Sequence, residues 1–187
     1  MSIRFHRPTA IVAGLAAVVS ASVLSLTGVA TASTRHTDLP KPTNTHTVVV
    51  TKHPTPVPLV LNLRTGRHRT YDRVVVDLSG PLTGYRVQYV GGLTYDPSGK
   101  PVPLAGKAFL HIALTPANAH APVDNEHVLN VYSGPRLAHP GLPTIKGVAM
   151  TGDFEAVVSF GLALDHKAGF RVFTLTNPSR LVVDVAH

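Results

Sequence analysis

A chain of 187 residues without Cys has no disulfide, no thiolate chemistry and no lipoprotein-type thioether anchor, so a folded part must be held by its core alone. All ten acidic residues and fifteen of the seventeen Lys and Arg lie after Ala32, which turns the formal charge of +7 into +5 for the remainder. That bias suits polyanions such as teichoic acids, acidic glycans or anionic lipid surfaces, with a plain solubility role as the alternative.

Arg4, His6 and Arg7 precede an apolar run from Ile11 to about Leu26, and Val29-Ala30-Thr31-Ala32 ends in an A-x-A pattern. This is the layout of a secretory signal peptide over residues 1–32, with cleavage expected between Ala32 and Ser33. The stretch is also nearly long enough for a retained membrane anchor, but Gly14, Gly28 and the small-residue end favour cleavage. No later stretch approaches spanning length. The expected mature protein therefore has no stable membrane span and is secreted or extracytoplasmic, in association with the cell wall.

Residues 33–57 are rich in Ser, Thr, Pro, Lys and His. Pro40, Pro42, Pro54 and Pro56 oppose a helix and favour an extended chain, and too little apolar surface is present to offset ordering. A flexible tether is expected there, with the Val48-Val49-Val50 island able to add an edge strand.

Residues 58–187 suffice for one ordinary domain of about 130 residues. Leu59–Arg64 alternates as a first strand, and Thr65–Thr70 reads as a positively charged turn. Tyr71–Ser79 is a second strand. The Gly80–Gly84 turn leads to Tyr85–Val90, which together with Tyr71–Ser79 reads as an antiparallel hairpin. Gly91–Lys107 is mostly loop, and Ala108–Leu114 a strand. Thr115-Pro116-Ala117-Asn118-Ala119-His120 fits a short helical turn capped by Thr115. Ala121–Pro143 is the least regular stretch. Thr144–Thr151, Phe154–Leu164 (with Gly161 marking a bulge) and Phe170–Leu175 are further strands, and a turn at 176–179 opens the last one. Seven to nine short strands argue for an all-β fold, a β-sandwich of two antiparallel sheets, with an open barrel second.

Two stretches repeat. Arg73-Val74-Val75-Val76-Asp77-Leu78 aligns with Arg180-Leu181-Val182-Val183-Asp184-Val185, so that Arg falls on Arg, Asp on Asp and one apolar triplet on the other. Strand alternation puts each triplet on one sheet face and each Asp on the opposite face. Arg73, Asp77, Arg180 and Asp184 are expected to be structural, as ion pairs or turn hydrogen bonds, rather than a two-carboxylate catalytic site.

No catalytic residue or cofactor is indicated. No G-x-S-x-G elbow is present, and the His120–His127 loop, although rich in His and acids, matches no zinc spacing. A solvated loop is the expectation there, with a hydrolase or metal site as the minor alternative. The surface candidates for ligand binding are Arg64, Arg67, Arg69 and Tyr71, extended by Tyr85, Arg86 and Arg171. Guanidinium groups recognise carboxylate and phosphate, and Tyr rings stack on sugars. Nucleic acid is not an expected partner, because the chain is exported and lacks interleaved basic and aromatic residues.

The Arg73–Ser79 strand, the continuation Gly84-Tyr85-Arg86-Val87 and the closing Pro178–Val185 resemble the AMIN (amidase N-terminal) domain, and most closely its AMIN-like relatives in bacterial secreted proteins and lipoproteins. Thr65-Gly66-Arg67-His68, Gly152-Asp153-Phe154-Glu155 and Phe170–Leu175 add to the likeness, which covers about Leu59 to His187. The resemblance implies a β-sandwich of two sheets and a non-enzymatic targeting module that binds peptidoglycan or the envelope near the division site; the positive charge adds an anionic wall polymer as an expected partner. An envelope protein, such as a wall enzyme that it recruits or regulates, is the alternative partner. No catalytic residues come with the resemblance.

Overall fold

The computed structural model describes residues 39–124 and 127–187. The expected signal peptide, the start of the tether, Asn125 and Glu126 lie outside the described residues. Among the described residues there is no helix, and none is therefore long and apolar enough to cross a membrane. The strands are β1 (Val48–Val50), β2 (Leu59–Arg67), β3 (Tyr71–Ser79), β4 (Gly84–Val90), β5 (Ala108–Thr115), β6 (His120–Pro122), β7 (Val128–Asn130), β8 (Leu137–Ala138), β9 (Ile145–Phe154), β10 (Val157–Leu164), β11 (Phe170–Leu175) and β12 (Arg180–Ala186). They form a six-stranded sheet in the order β1-β4-β5-β10-β9-β8, a four-stranded sheet in the order β11-β12-β3-β2, and a small β6-β7 pair. Every ladder is antiparallel.

The two large sheets pack face to face as a β-sandwich. Val74, Val76 and Leu78 of β3 and Leu181, Val183 and Val185 of β12 meet Leu110, Ile112, Leu114, Phe160 and Leu162 of the other sheet in one buried core. Each apolar triplet read from the repeat thus lines the inner face. The repeated strands are also direct neighbours, paired about Val75↔Val182, so that Arg73 lies opposite Asp184 and Asp77 opposite Arg180.

The outer faces differ. On the six-stranded sheet a second apolar cluster forms where Leu93, Val102 and Leu104 of the 91–107 loop cover Ala149 and Ala163. A Cβ on Gly161 would lie 2.6 Å from Leu93, so that glycine admits the covering loop. The register shifts of β10 fall beside it, at Ser159/Phe160 and Ala163/Leu164, rather than at the expected Gly161.

Three expectations change. β4 does not form a hairpin with β3. It crosses to the other sheet and pairs with β1 and β5, because Tyr85 and Val87 complete the inner face there. The Thr115–His120 stretch is not helical, since its backbone is committed to distant partners: Ala117 N donates to Ala156 O and Asn118 N to Pro58 O. The strand expected to begin at Phe154 begins at Val157, after a tight turn in which Glu155 and Ala156 take φ of 48° and 57°. Such turns suit a hairpin's twist, but these two residues carry no Gly or Asn signal. The 121–143 stretch, expected to be the least regular, carries most of β6 and the short strands β7 and β8. The Val48–Val50 island does form the edge strand β1, with Val49 opposite Arg86.

His111 sits on β5 between Gln88 and Gly161, under the covering loop. Burial lowers its pKa from the ordinary 6.5, with Asp96 opposing. The unfolded chain keeps the ordinary value and takes up a proton that the folded state refuses. The contribution is therefore complete above pH 6.5 and declines as pH falls through the window below it. Thermal unfolding from pH 7.5 to 5 should show wild type losing stability relative to His111→Gln. Parallel curves would mean that His111 does not couple folding to pH.

Candidate functional site

The outer face of the four-stranded sheet is where the charged candidates gather. Alternation along β3 turns Tyr71, Arg73, Val75 and Asp77 outward. The registers set Arg171 opposite Asp184, Phe173 opposite Val182, and Arg64 opposite Val75.

At its centre Asp184 is fully buried although it lies on the outer face. Arg73 donates from Nε and Nη2 to its two oxygens at 2.7 and 2.9 Å, and Arg171 donates from Nε to Oδ2 at 2.6 Å. The hydrogen bond to Asp184 raises the pKa of Arg73 above its ordinary value, against a smaller opposing effect of burial. Both guanidinium groups lie against aromatic rings. Arg171 Cζ is 4.8 Å from the Tyr71 centroid and 5.8 Å from that of Phe173; the matching Arg73 distances are 5.3 and 5.4 Å. Such cation–π contacts fix the planes of flexible side chains and shield Asp184 from water.

Toward β2, Arg64 forms a two-point pair with Asp77, both bonds 2.7 Å, and this bond raises the pKa of Arg64. Arg180 lies opposite Asp77, yet its Nε reaches Pro178 O at 3.3 Å. Of the expected pairs within the repeat, Arg73 engages Asp184 across the two strands, whereas Asp77 takes its cation from β2.

At the end of the face, β2 runs on to Arg67, and residues 68–70 make the turn into β3. His68 stacks on Tyr71 with centroids 4.5 Å apart and planes at 16°. Arg67 and Arg69 are exposed, and among the described residues no acceptor engages their side chains. The arrangement offers an aromatic platform with free cations at its rim, which suits a sugar ring carrying or neighbouring an anionic group.

Arg64, Tyr71 and Arg171 therefore share one face, with Arg67 and Arg69 at its end. Tyr85 and Arg86 belong to the six-stranded sheet. Tyr85 points into the core, 8% exposed, and burial raises its pKa; Arg86 projects from the opposite side of the sandwich. His68, which lies within the basic 64–71 stretch, and Phe173, which had no assigned role, join the site. Phe173 lies two residues from Arg171 on the same strand, a period-2 signal that was available.

A cleft of about 450 Å³ beside β9 contains Tyr95, Asp96, Arg136 and Asp153. Its two carboxylates are engaged by neighbouring groups. Asp153 pairs with His120 Nδ1 at 2.7 Å and accepts from Ala119 N at 3.0 Å, while Ser159 donates to Asp96 at 3.2 Å and accepts from Thr151 at 2.8 Å. His120 and His127 pair with different carboxylates, His127 with Asp124. Among the described residues no group of three or more His, Asp or Glu is placed to hold a metal ion.

No curated protein matches the chain. The family model of the AMIN-like domain matches residues 58–187, the sandwich from the start of β2 to the end of β12, and the chain belongs to the AMIN-like domain family.

Proposed function

We propose that the protein is an exported, non-enzymatic cell-envelope module that binds peptidoglycan or an associated anionic wall polymer through the outer face of its four-stranded sheet. Family membership supports the envelope-related role. The observation that carries the choice of face is the platform of His68, Tyr71 and Phe173 set among Arg73, Arg171 and the unengaged Arg67 and Arg69. The rings contact glycan and the rim cations capture neighbouring anionic groups.

The test is co-sedimentation with purified peptidoglycan, bare or carrying its anionic polymers, across a salt series. Retention on bare peptidoglycan that resists salt supports a built glycan site. Retention only with the polymers, lost as salt screens it, assigns binding to charge. The Arg67→Ala/Arg69→Ala pair should weaken retention about fivefold, as expected for two exposed charges. No retention under any condition sinks the reading.

A second reading has an observation of its own. Val123, Val128 and Leu129 are exposed around the paired strands β6 and β7. Such a patch fits a protein-interaction module that recruits or regulates a wall enzyme. Co-purification with such an enzyme, lost on Val128→Asp, would favour it.

A further inference from the structure

Arg73 and Arg171 share the single carboxylate of Asp184, so the cluster holds one positive charge in excess. Its side chains are mostly shielded, 22% exposed for Arg73 and 13% for Arg171. The excess is met by the faces of Tyr71 and Phe173 and by two backbone carbonyls, those of Leu39 and Pro40, which accept from Arg171 Nη1.

Those carbonyls belong to a segment that precedes the family's matched residues. The segment lies on the sandwich at several points. Pro42 is buried, and a Cβ on Gly169 would fall 2.4 Å from Pro42 O and 2.6 Å from Thr43 Cα. Asn44 and Phe170 exchange backbone hydrogen bonds of 3.1 and 2.7 Å, after which β1 pairs with β4. Residues 39–44 thus form a strap across the β11 side of the cationic cluster.

A neutral carbonyl is a weaker partner for an unneutralised guanidinium than an anion is, since charge-assisted hydrogen bonds are roughly twice as strong. We propose that Arg73 and Arg171 form a subsite for a phosphate or carboxylate group of an anionic polymer, and that residues 39–44 are a strap which this group displaces. The subsite rests on the reading of this face as the wall-binding surface. Binding then opens the strap, and the strap lowers the apparent affinity by the fraction of time that it is closed.

The experiment uses the full chain with two probes, inorganic polyphosphate and poly-glutamate, which separate phosphate from carboxylate. Hydrogen exchange at the amides of Asn44 and Phe170 should rise on addition of whichever probe binds. Gly169→Ala, whose methyl cannot coexist with the seated strap, should tighten binding about tenfold. Adding Arg171→Gln should remove that gain. Binding that leaves both amides protected, or that is unaffected by Arg171→Gln, overturns the proposal while the face remains a binding surface. Failure of every form to bind either probe, Gly169→Ala included, overturns the subsite, and co-sedimentation with bare peptidoglycan then decides the reading of the face separately. Should Gly169→Ala not fold, exchange in the wild type decides.

Discussion

Asp72→Ala should lower the unfolding free energy by about 4 kcal/mol, because it strands several buried polar groups at once. Asp72 is fully buried at the start of β3, on the inner face. Its Oδ2 accepts from the backbone of Thr144 at 2.7 Å and Ile145 at 2.9 Å, and its Oδ1 pairs with His187 Nε2 at 2.9 Å. Beside it Thr144 Oγ1 donates to Ala186 O at 2.9 Å. The carboxylate therefore ties the four-stranded sheet to the start of β9 in the other sheet. Alanine leaves two amides without an acceptor, each costing about 1–3 kcal/mol, and releases His187. Asp72→Asn keeps one carbonyl oxygen for those amides and should cost about half as much. Urea unfolding at constant m-value reads both. A loss under about 1 kcal/mol for Asp72→Ala would show that water or relaxation replaces the clamp.

This clamp also marks where sequence reasoning stopped. Strand positions were legible because alternation is local: Tyr71–Ser79 and Phe170–Leu175 were read with the bounds they have. The repeat predicted two related strands, and their antiparallel pairing about Val75↔Val182 gives that repeat a geometric reason. Which strands pair was less legible. Short spacing suggested that β3 and β4 were hairpin partners, but the chain turns at Gly80–Gly84 to enter the other sheet, and only the three-dimensional core decides that. Asp72 carries no local signal of its role in the sequence, since its partners lie more than seventy positions away. The site was half visible: Arg64, Tyr71 and Arg171 are on one face, as a basic surface requires. Tyr85 was misplaced because its strand's alternation was counted without knowing which side faced the core. The partners of the strap were invisible, because its contacts with Arg171 run through backbone carbonyls that carry no side-chain signal.

The Arg73→Gln/Arg171→Gln double variant should lose about 4 kcal/mol of stability, more than the sum of its single variants. Either single change leaves Asp184 with one charged partner and should cost about 1–1.5 kcal/mol, close to a hydrogen bond to a charged group. The double change leaves a fully buried carboxylate with no cation within reach, since Arg180 lies opposite Asp77 and Arg64 is paired with it. A desolvated unpaired charge costs several kcal/mol, so the coupling between the two positions should exceed about 1 kcal/mol. Urea unfolding of the four-member cycle measures it. Simple additivity would show that Asp184 is relieved by another route, such as protonation or water entry. The same cycle separates stability from binding on this face. If the two guanidinium groups only neutralise Asp184, then Asp184→Asn in the double variant should recover stability and show wild-type retention on wall polymer. If they also hold an anion, stability returns and retention does not, because the restored fold lacks the cations that the polymer would engage.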